Sequence, residues 1–316
     1  MLLDLFITHY KEPWEVCEKG FLMLKMQRMV DWSQIRITVV HDGTECFPEG
    51  TFDGYPCEIH EVSIPHGGIA AARNWCIDHS EAKWIRWHDC DDCFANIYAL
   101  RDIMNVLSDN WNLMLWFDVV AETGDHTYIR DKRDPVVVHG KVFRRHFLLE
   151  HNIRFNEELT WCEDSAFLAV IEMEIDHNKI GKIKTASPIY AWIERQGSLC
   201  NRPEIRFKNL QSFFLRHTYV AEEFLKRGLI DQYNTMCVRV MADSFYTCRM
   251  APVPEDRTEH EKKVWEWFDK HKEPFYACRP EMFKMVMEAV NRECNDGGVI
   301  TAEEFIEWIR KHERGE

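Results

Sequence analysis

The chain opens with LLDLFI, residues 2 to 7, an apolar run of the length a buried strand takes. Pro13 follows at a plausible first helical position, and Trp14, Cys17, Phe21 and Leu24 recur at helical spacing. The run IRITVV alternates at Ile35, Ile37 and Val39; CEIHEVSI comes next; a glycine pair then opens the helical IAAARNWCIDHS, and KWIRWH reads as another strand. A helix over 96–109 and the apolar strand LMLWFDVV continue the alternation. Strands interleaved with helices predict an α/β unit with a mostly parallel sheet covered on both faces, whose ligands bind beyond the carboxyl ends of the strands. Beyond about residue 200 the periodicity is helical throughout. A boundary is expected near Asn201 to Pro203, dividing the chain into 1–200 and a helical 201–316. The Pro-bearing APVPEDRTEHEK predicts a turn into a further helix, and no internal repeat is evident.

Composition narrows the class. The 316 residues are 46 % apolar and 29 % charged, the balance of a folded globular protein. Lys and Arg number 39 against 53 Asp and Glu, and the resulting charge of -14 disfavours general nucleic-acid or anionic-lipid binding. No apolar run reaches the roughly 20 residues of a membrane span, and MLLDLFITHYKEP lacks the apolar centre of a signal peptide. A cytoplasmic protein is expected. The 12 cysteines are scattered at irregular spacing, which suits free thiols.

The candidate chemistry lies in KWIRWHDCDDCF, residues 83 to 94, where a strand ends in Asp89, Asp91 and Asp92. Carboxylates this close repel one another, and a hard divalent cation such as Mn²⁺ or Mg²⁺ removes the conflict while leaving room for phosphate oxygens. Two other readings of the same residues stand beside this one. The aspartates could cap the following helix in a solvated loop, or His88, Cys90 and Cys93 could hold zinc with a fourth ligand from elsewhere.

Taken in order, FITHYKEP, VVHDGT, GGIAAARN, HDCDD, EDSAF and YAWIERQGS resemble the nucleotide-sugar-dependent glycosyltransferases of family 2, with their Rossmann-like A-type fold, over roughly residues 1 to 200. The resemblance implies that Thr8, His9, Tyr10 and Glu12 line the base and ribose pocket, that Asp42 accepts a hydrogen bond from the base, and that Arg73 approaches the nucleotide. It implies Asp91 as direct metal ligand, Asp89 beside it on ribose or metal-bound water, and Asp92 in support. The chain departs from the family pattern at Thr8, Lys11 and His41, where Pro, Asn and an acidic residue are usual, which leaves uridine a preference only.

Sugar transfer needs a base for the acceptor hydroxyl and neutralisation of the departing diphosphate. In TWCEDSAFLAVIEMEI, Thr160 and Glu163 fit a capping box, which gives Glu163 a structural task. The resemblance implies Asp164 as base in an inverting reaction. It also implies that the segment HGKVFRRHFLLEHNIRF faces the acceptor, and that Arg195, Gln196 and Ser198, hinged at Gly197, order over the donor diphosphate. Near the end, ECNDGGVITAEEF only partly matches a calcium loop, and Thr301 with Glu304 makes a capping box instead. The expected protein is a transferase using Mn²⁺ or Mg²⁺, a nucleoside diphosphate sugar and a hydroxyl acceptor on a glycan, protein, lipid-linked group or modified base. A homo-oligomer is possible on this reading. A D-x-D phosphatase or nucleotidyltransferase, or a non-catalytic nucleotide-binding module, are the rival classes.

Overall fold

The computed structural model describes residues 1–108, 111–122, 128–131, 136–175, 177–183, 187–194, 206–250, 254–293 and 298–315. The chain divides into two compact units, Met1–Ser198 and Leu199–Glu316. The expected boundary at Asn201 to Pro203 lies outside the described residues.

The first unit runs β1 (Leu3–His9), α1 (Trp14–Lys25), β2 (Ile35–Asp42), β3 (Ile59–Ile64), α2 (Gly68–His79), β4 (Trp84–Asp89), β5 (Cys93–Phe94), α3 (Ala99–Leu107), β6 (Met114–Trp116), β7 (Val119–Glu122), β8 (Tyr128–Asp131), β9 (Lys141–Arg144), α4 (Arg145–Glu150), α5 (Glu163–Glu174), β10 (Ile180–Lys182) and β11 (Tyr190–Ile193). Seven strands form the main sheet in the order β10-β6-β9-β4-β1-β2-β3, and β5-β11-β7-β8 form a smaller one. Strands β1 to β4 pair in parallel, with β9 the antiparallel member between β4 and β6. The run LMLWFDVV, expected as one strand, is two: it leaves the main sheet after Trp116, and Val119 begins the smaller one. Between them Phe117 donates its N–H to the Gly140 carbonyl, so the break is hydrogen-bonded.

Alternation fixes what each face meets. Leu3, Leu5 and Ile7 share a face with Ile35, Ile37 and Val39, and pack on Cys17, Phe21 and Leu24 of α1. The opposite face carries Asp4, Phe6 and Thr8, and lies towards α2. Asp4 is buried there but not unpaired, since it accepts from Arg36 at 2.9 and 2.7 Å, from the Ser80 hydroxyl at 2.6 Å, and from the Glu81 and Ala82 N–H groups.

The second unit is helical among its described residues: α6 (Arg206–Lys226), α7 (Ile230–Met250), α8 (Pro254–Tyr276), α9 (Pro280–Glu293) and α10 (Ala302–Arg314). Helix α7 packs on α6, α8, α9 and α10. Pro274 inside α8 cannot donate to residue 270 and crowds its carbonyl, and His271 beside it leaves the helical region at φ -119°. Helix α10 starts in the expected capping box: Thr301 Oγ1 accepts from the Glu304 N–H, and the Glu304 carboxylate accepts from the Thr301 N–H. No described helix is long and apolar enough to cross a membrane.

Candidate active site

The parallel strands end on one side of the first unit, and the chemistry collects there. Strand β4 finishes at Asp89, whose register partner is Thr8 of β1. The Thr8 hydroxyl donates to Asp89 Oδ1 at 3.2 Å. From α2, Arg73 reaches the same carboxylate at 3.2 Å, Glu163 at 2.9 Å, and Asp164 at closer range. The buried guanidinium therefore joins the end of β4 to the first turn of α5. Burial works against its charge, but Asp164, Asp89 and Glu163 outweigh that and raise its pKa. Asn74, the next residue, holds the 153–157 segment by donating to the Phe155 carbonyl and accepting from the Phe155 N–H, each at 2.9 Å.

Asp89 has a second basic neighbour, His139, whose Nε2 lies 2.9 Å from Asp89 Oδ2. Burial opposes ionisation of Asp89, but Arg73 and then His139 hold its carboxyl well below the usual carboxylate range. Burial likewise opposes protonation of His139; Asp89 overrides it and raises the pKa. His139 lies in the loop before β9 and stacks on Tyr190 of β11, centroids 4.7 Å apart. No motif in the sequence announces it.

Asp92 faces inward. Its oxygens accept from the Tyr190 hydroxyl and, at 2.8 Å, from the Ile193 N–H, which ties β11 to the acidic turn. Burial, reinforced by Asp91 and Asp89 against His139, pushes its carboxyl up to about 7. Asp91 is half-buried in the turn. Among the described residues, ligand atoms of Asp89, Asp92 and His139 lie within 4.8 Å of one another, a convergent group that includes Asp89 but not Asp91. His88, Cys90 and Cys93 do not converge: His88 faces Arg86 and the Asp92 carbonyl, while Cys90 turns to Glu12.

The expected nucleoside residues gather at the ends of β1 and β2. His9 is buried, with Nδ1 against His41 Nδ1 at 2.8 Å and Nε2 against the Glu12 carbonyl at 2.9 Å. The Glu12 carboxylate accepts from the Tyr10 N–H at 2.8 Å and from Cys90 Sγ at 3.5 Å, linking this turn to the acidic one. Tyr10 is exposed and stacks flat on His66 at 4.4 Å. Asp42, expected to meet a base, directs both oxygens to the loop before α2: Gly67 and Gly68 N–H donate at 2.8 and 2.9 Å, and His66 Nδ1 at 2.9 Å. The adjacent Gly43 takes φ +70°, where a side chain would also strike His66. Arg195, Gln196, Gly197 and Ser198 lie outside the described residues.

The expected capping box at Thr160 is absent. Cys162 precedes α5 in the left-handed region at φ +65° with no side-chain cap. Glu163 turns instead to Arg73. Burial, then Asp164, pushes the Glu163 carboxyl up to about 7 against that guanidinium. Asp164 Oδ2 accepts from the Val138 N–H at 2.9 Å. Both carboxylates of the pair therefore meet the guanidinium that also reaches the end of β4.

In sequence, residues 4–176 match the family profile Glycosyl transferase family 2. No match was found among curated proteins. In structure, the chain is similar to S. aureus TarS 1–349 in complex with UDP-GlcNAc, at 14 % identity and a TM-score of 0.66, covering 100 % of this chain and 93 % of that chain. TarS 1–349 in complex with UDP superposes with a TM-score of 0.51 at 15 % identity, over 93 % of this chain and 92 % of that chain.

Proposed function

Because the chain belongs to glycosyl transferase family 2, we propose that it moves a hexose-type sugar from a nucleoside diphosphate, UDP by preference, to a hydroxyl acceptor, with inversion at the anomeric carbon. The observation that carries this reading is the Arg73 bridge, which brings the carboxylate ending β4 and both carboxylates opening α5 to one guanidinium. Five carboxyl groups, Asp89, Asp91, Asp92, Glu163 and Asp164, gather around Arg73 and His139, an acidic surrounding that disfavours a bare diphosphate.

The residues present fit a divalent cation. The convergent Asp89, Asp92 and His139 support a Mn²⁺ or Mg²⁺ site here, with Asp91 and Asp89 the ligands that the family resemblance implies, and the ion, when bound, would neutralise charge on the departing diphosphate. Thr8, His9, Tyr10 and Glu12 form the nucleoside side, where the exposed Tyr10 ring, backed by His66, is the stacking surface. Asp42 keeps that side closed by fixing the 66–68 loop. Arg195, Gln196 and Ser198 meet the diphosphate in this reading.

Asp164 takes the proton of the acceptor hydroxyl as its oxygen attacks from the side opposite the leaving diphosphate. Arg73 and the Val138 N–H hold that carboxylate in place by donating to its two oxygens. A second reading makes Glu163 the base, favoured by its carboxyl at about 7, close to working pH. Donor hydrolysis and transfer across a nucleotide-sugar panel separate the two. Asp164→Asn is expected to abolish turnover with unchanged circular dichroism, while Glu163→Gln keeps at least a tenth of it. The reverse pattern assigns the base to Glu163, and full turnover in both variants removes the ED pair from the chemistry.

A further inference from the structure

We propose that His41, Cys46 and Glu61 form a zinc site that pins the segment between β2 and β3 over the ends of the first two strands, apart from the acidic turn. His9 and His41 are register partners across β1 and β2, and Val39 pairs with Glu61 across β2 and β3. Because Val39 and His41 are two apart, His9, His41 and Glu61 project from one face of the sheet in a row. The segment after β2 brings Cys46 and Phe47 back over this row. The Phe47 N–H donates to Glu61 Oε1 at 2.9 Å, and its ring packs on His9 and His41 at 4.7 and 5.1 Å.

Ligand atoms of His41, Cys46 and Glu61 lie within 4.8 Å of one another. Zinc bonds to imidazole, thiolate and carboxylate place such atoms about 3.3–3.6 Å apart in a tetrahedron. His41 Nε2 and Glu61 Oε1 are already 3.0 Å apart, so closure falls to Cys46, which is exposed on its loop.

Hydrogen-bond accounting at the row is the second, independent observation. The Glu12 carbonyl beside His9 Nε2 and the Glu61 carboxylate beside His41 Nε2 are acceptors, so both Nε2 atoms must donate. The 2.8 Å contact between the two Nδ1 atoms needs a further hydrogen. With one hydrogen on each ring the count falls one short, and either a further proton or a metal cation must make it up. Thr44 Oγ1, 3.3 Å from His9 Nδ1, supplies nothing between the rings. A cation on His41 Nε2 removes the shortfall: His41 Nδ1–H then donates to His9, and His9 Nε2–H donates to Glu12. A metal-bound imidazole typically passes its other N–H to such a partner.

The charge also closes. Zn²⁺ against one thiolate and one carboxylate is neutral, and the Cys46 proton leaves to solvent on binding. Thiolate with imidazole favours zinc, whereas the carboxylate-rich turn suits Mn²⁺ or Mg²⁺, so the two sites select different ions. The fourth position is left to water. The device would fix the Phe47, Phe52 and Tyr55 cluster, and through His9 the end of β1.

The test uses the full chain, treated with chelator, exposed to Zn²⁺ at micromolar concentration, desalted and assayed by elemental analysis. About one zinc per chain is expected in the wild type and in Asp89→Asn, with at least a tenfold loss in Cys46→Ser, whose surface position leaves the fold intact by circular dichroism. Co²⁺ in place of zinc should give a thiolate-to-metal absorption band that Cys46→Ser lacks. A wild type without retained zinc overturns the proposal. So does zinc that is lost in Asp89→Asn yet kept in Cys46→Ser. Neither result depends on sugar transfer, so this site and the transferase reading fail separately.

Discussion

Replacing Gly20 by alanine should damage catalysis far more than folding. Helix α1 crosses the acidic turn at this residue: a methyl group there would come closer than 3.0 Å to the Asp92 carbonyl oxygen and within 3.4 Å of the Cys90 carbonyl. Both atoms are backbone and cannot swing aside, so the turn must move by roughly 1 Å. Alanine favours a helix over glycine by about 1 kcal/mol, and overpacking costs about 1–3 kcal/mol, so the net loss of stability is at most about 2 kcal/mol. The protein folds. The turn, however, carries Asp91 and follows Asp89, whose contacts to Thr8, Arg73 and His139 lie at 3.2, 3.2 and 2.9 Å and leave little slack. A misplacement of about 1 Å typically costs about 100-fold in rate, or about 2.7 kcal/mol of barrier. Release of nucleoside diphosphate with Mn²⁺ present, followed alongside thermal unfolding, measures both quantities. We expect kcat/KM to fall about 100-fold while Tm drops by only a few degrees. Wild-type turnover in a folded Gly20→Ala protein would refute the steric argument.

Two further outcomes follow from buried charge. Arg73→Lys keeps a cation but loses the fork that reaches Asp89, Glu163 and Asp164 together, so turnover should fall about 100-fold; Arg73→Met leaves those carboxylates facing one another and should cost about 3–5 kcal/mol in denaturant titrations. In the helical unit, burial lowers the pKa of both His217, beside Arg216, Asp243 and Arg239, and His260, beside Lys263 and Glu261, to about 4. Their unfolded forms bind protons first, so stability is complete above about pH 6.5 and declines as pH falls towards 4, by about 3 kcal/mol per histidine. Urea titrations of the full chain at pH 7.5 and pH 5 measure this, and His260→Asn should remove part of the slope; equal stability at the two values would contradict it.

The sheet was legible because β1 reads as an apolar run, β2 alternates at Ile35, Ile37 and Val39, and β4 carries Trp84, Ile85 and Trp87, and the turn after β4 because that run breaks there into three carboxylates. Local pattern misread the places where long-range partners decide. Thr160 and Glu163 have capping-box spacing, but Arg73, 90 positions away, claims Glu163, and Cys162 takes the left-handed turn that starts α5. The resemblance assigned Asp42 to a base contact, and its oxygens accept from amides 25 and 26 residues on. His139 and Tyr190 were missed because their meaning lies in a stack across two elements, with no spacing to betray it. The break after Trp116 was invisible for a related reason: the apolar run continues while the strand changes sheets. The row of His9, His41 and Glu61 could have been read from alternation along β1 to β3, once the strand register was known.

The account rests on a nucleoside diphosphate being clamped at the end of β4 by a divalent cation. Calorimetric titration of UDP into the full chain, with Mn²⁺ and with chelator, for the wild type and Asp91→Asn, tests this most directly. Binding that needs Mn²⁺ in the wild type and falls at least tenfold in Asp91→Asn is the predicted result. UDP affinity unchanged by chelator and by the substitution, or no binding at all, would contradict it.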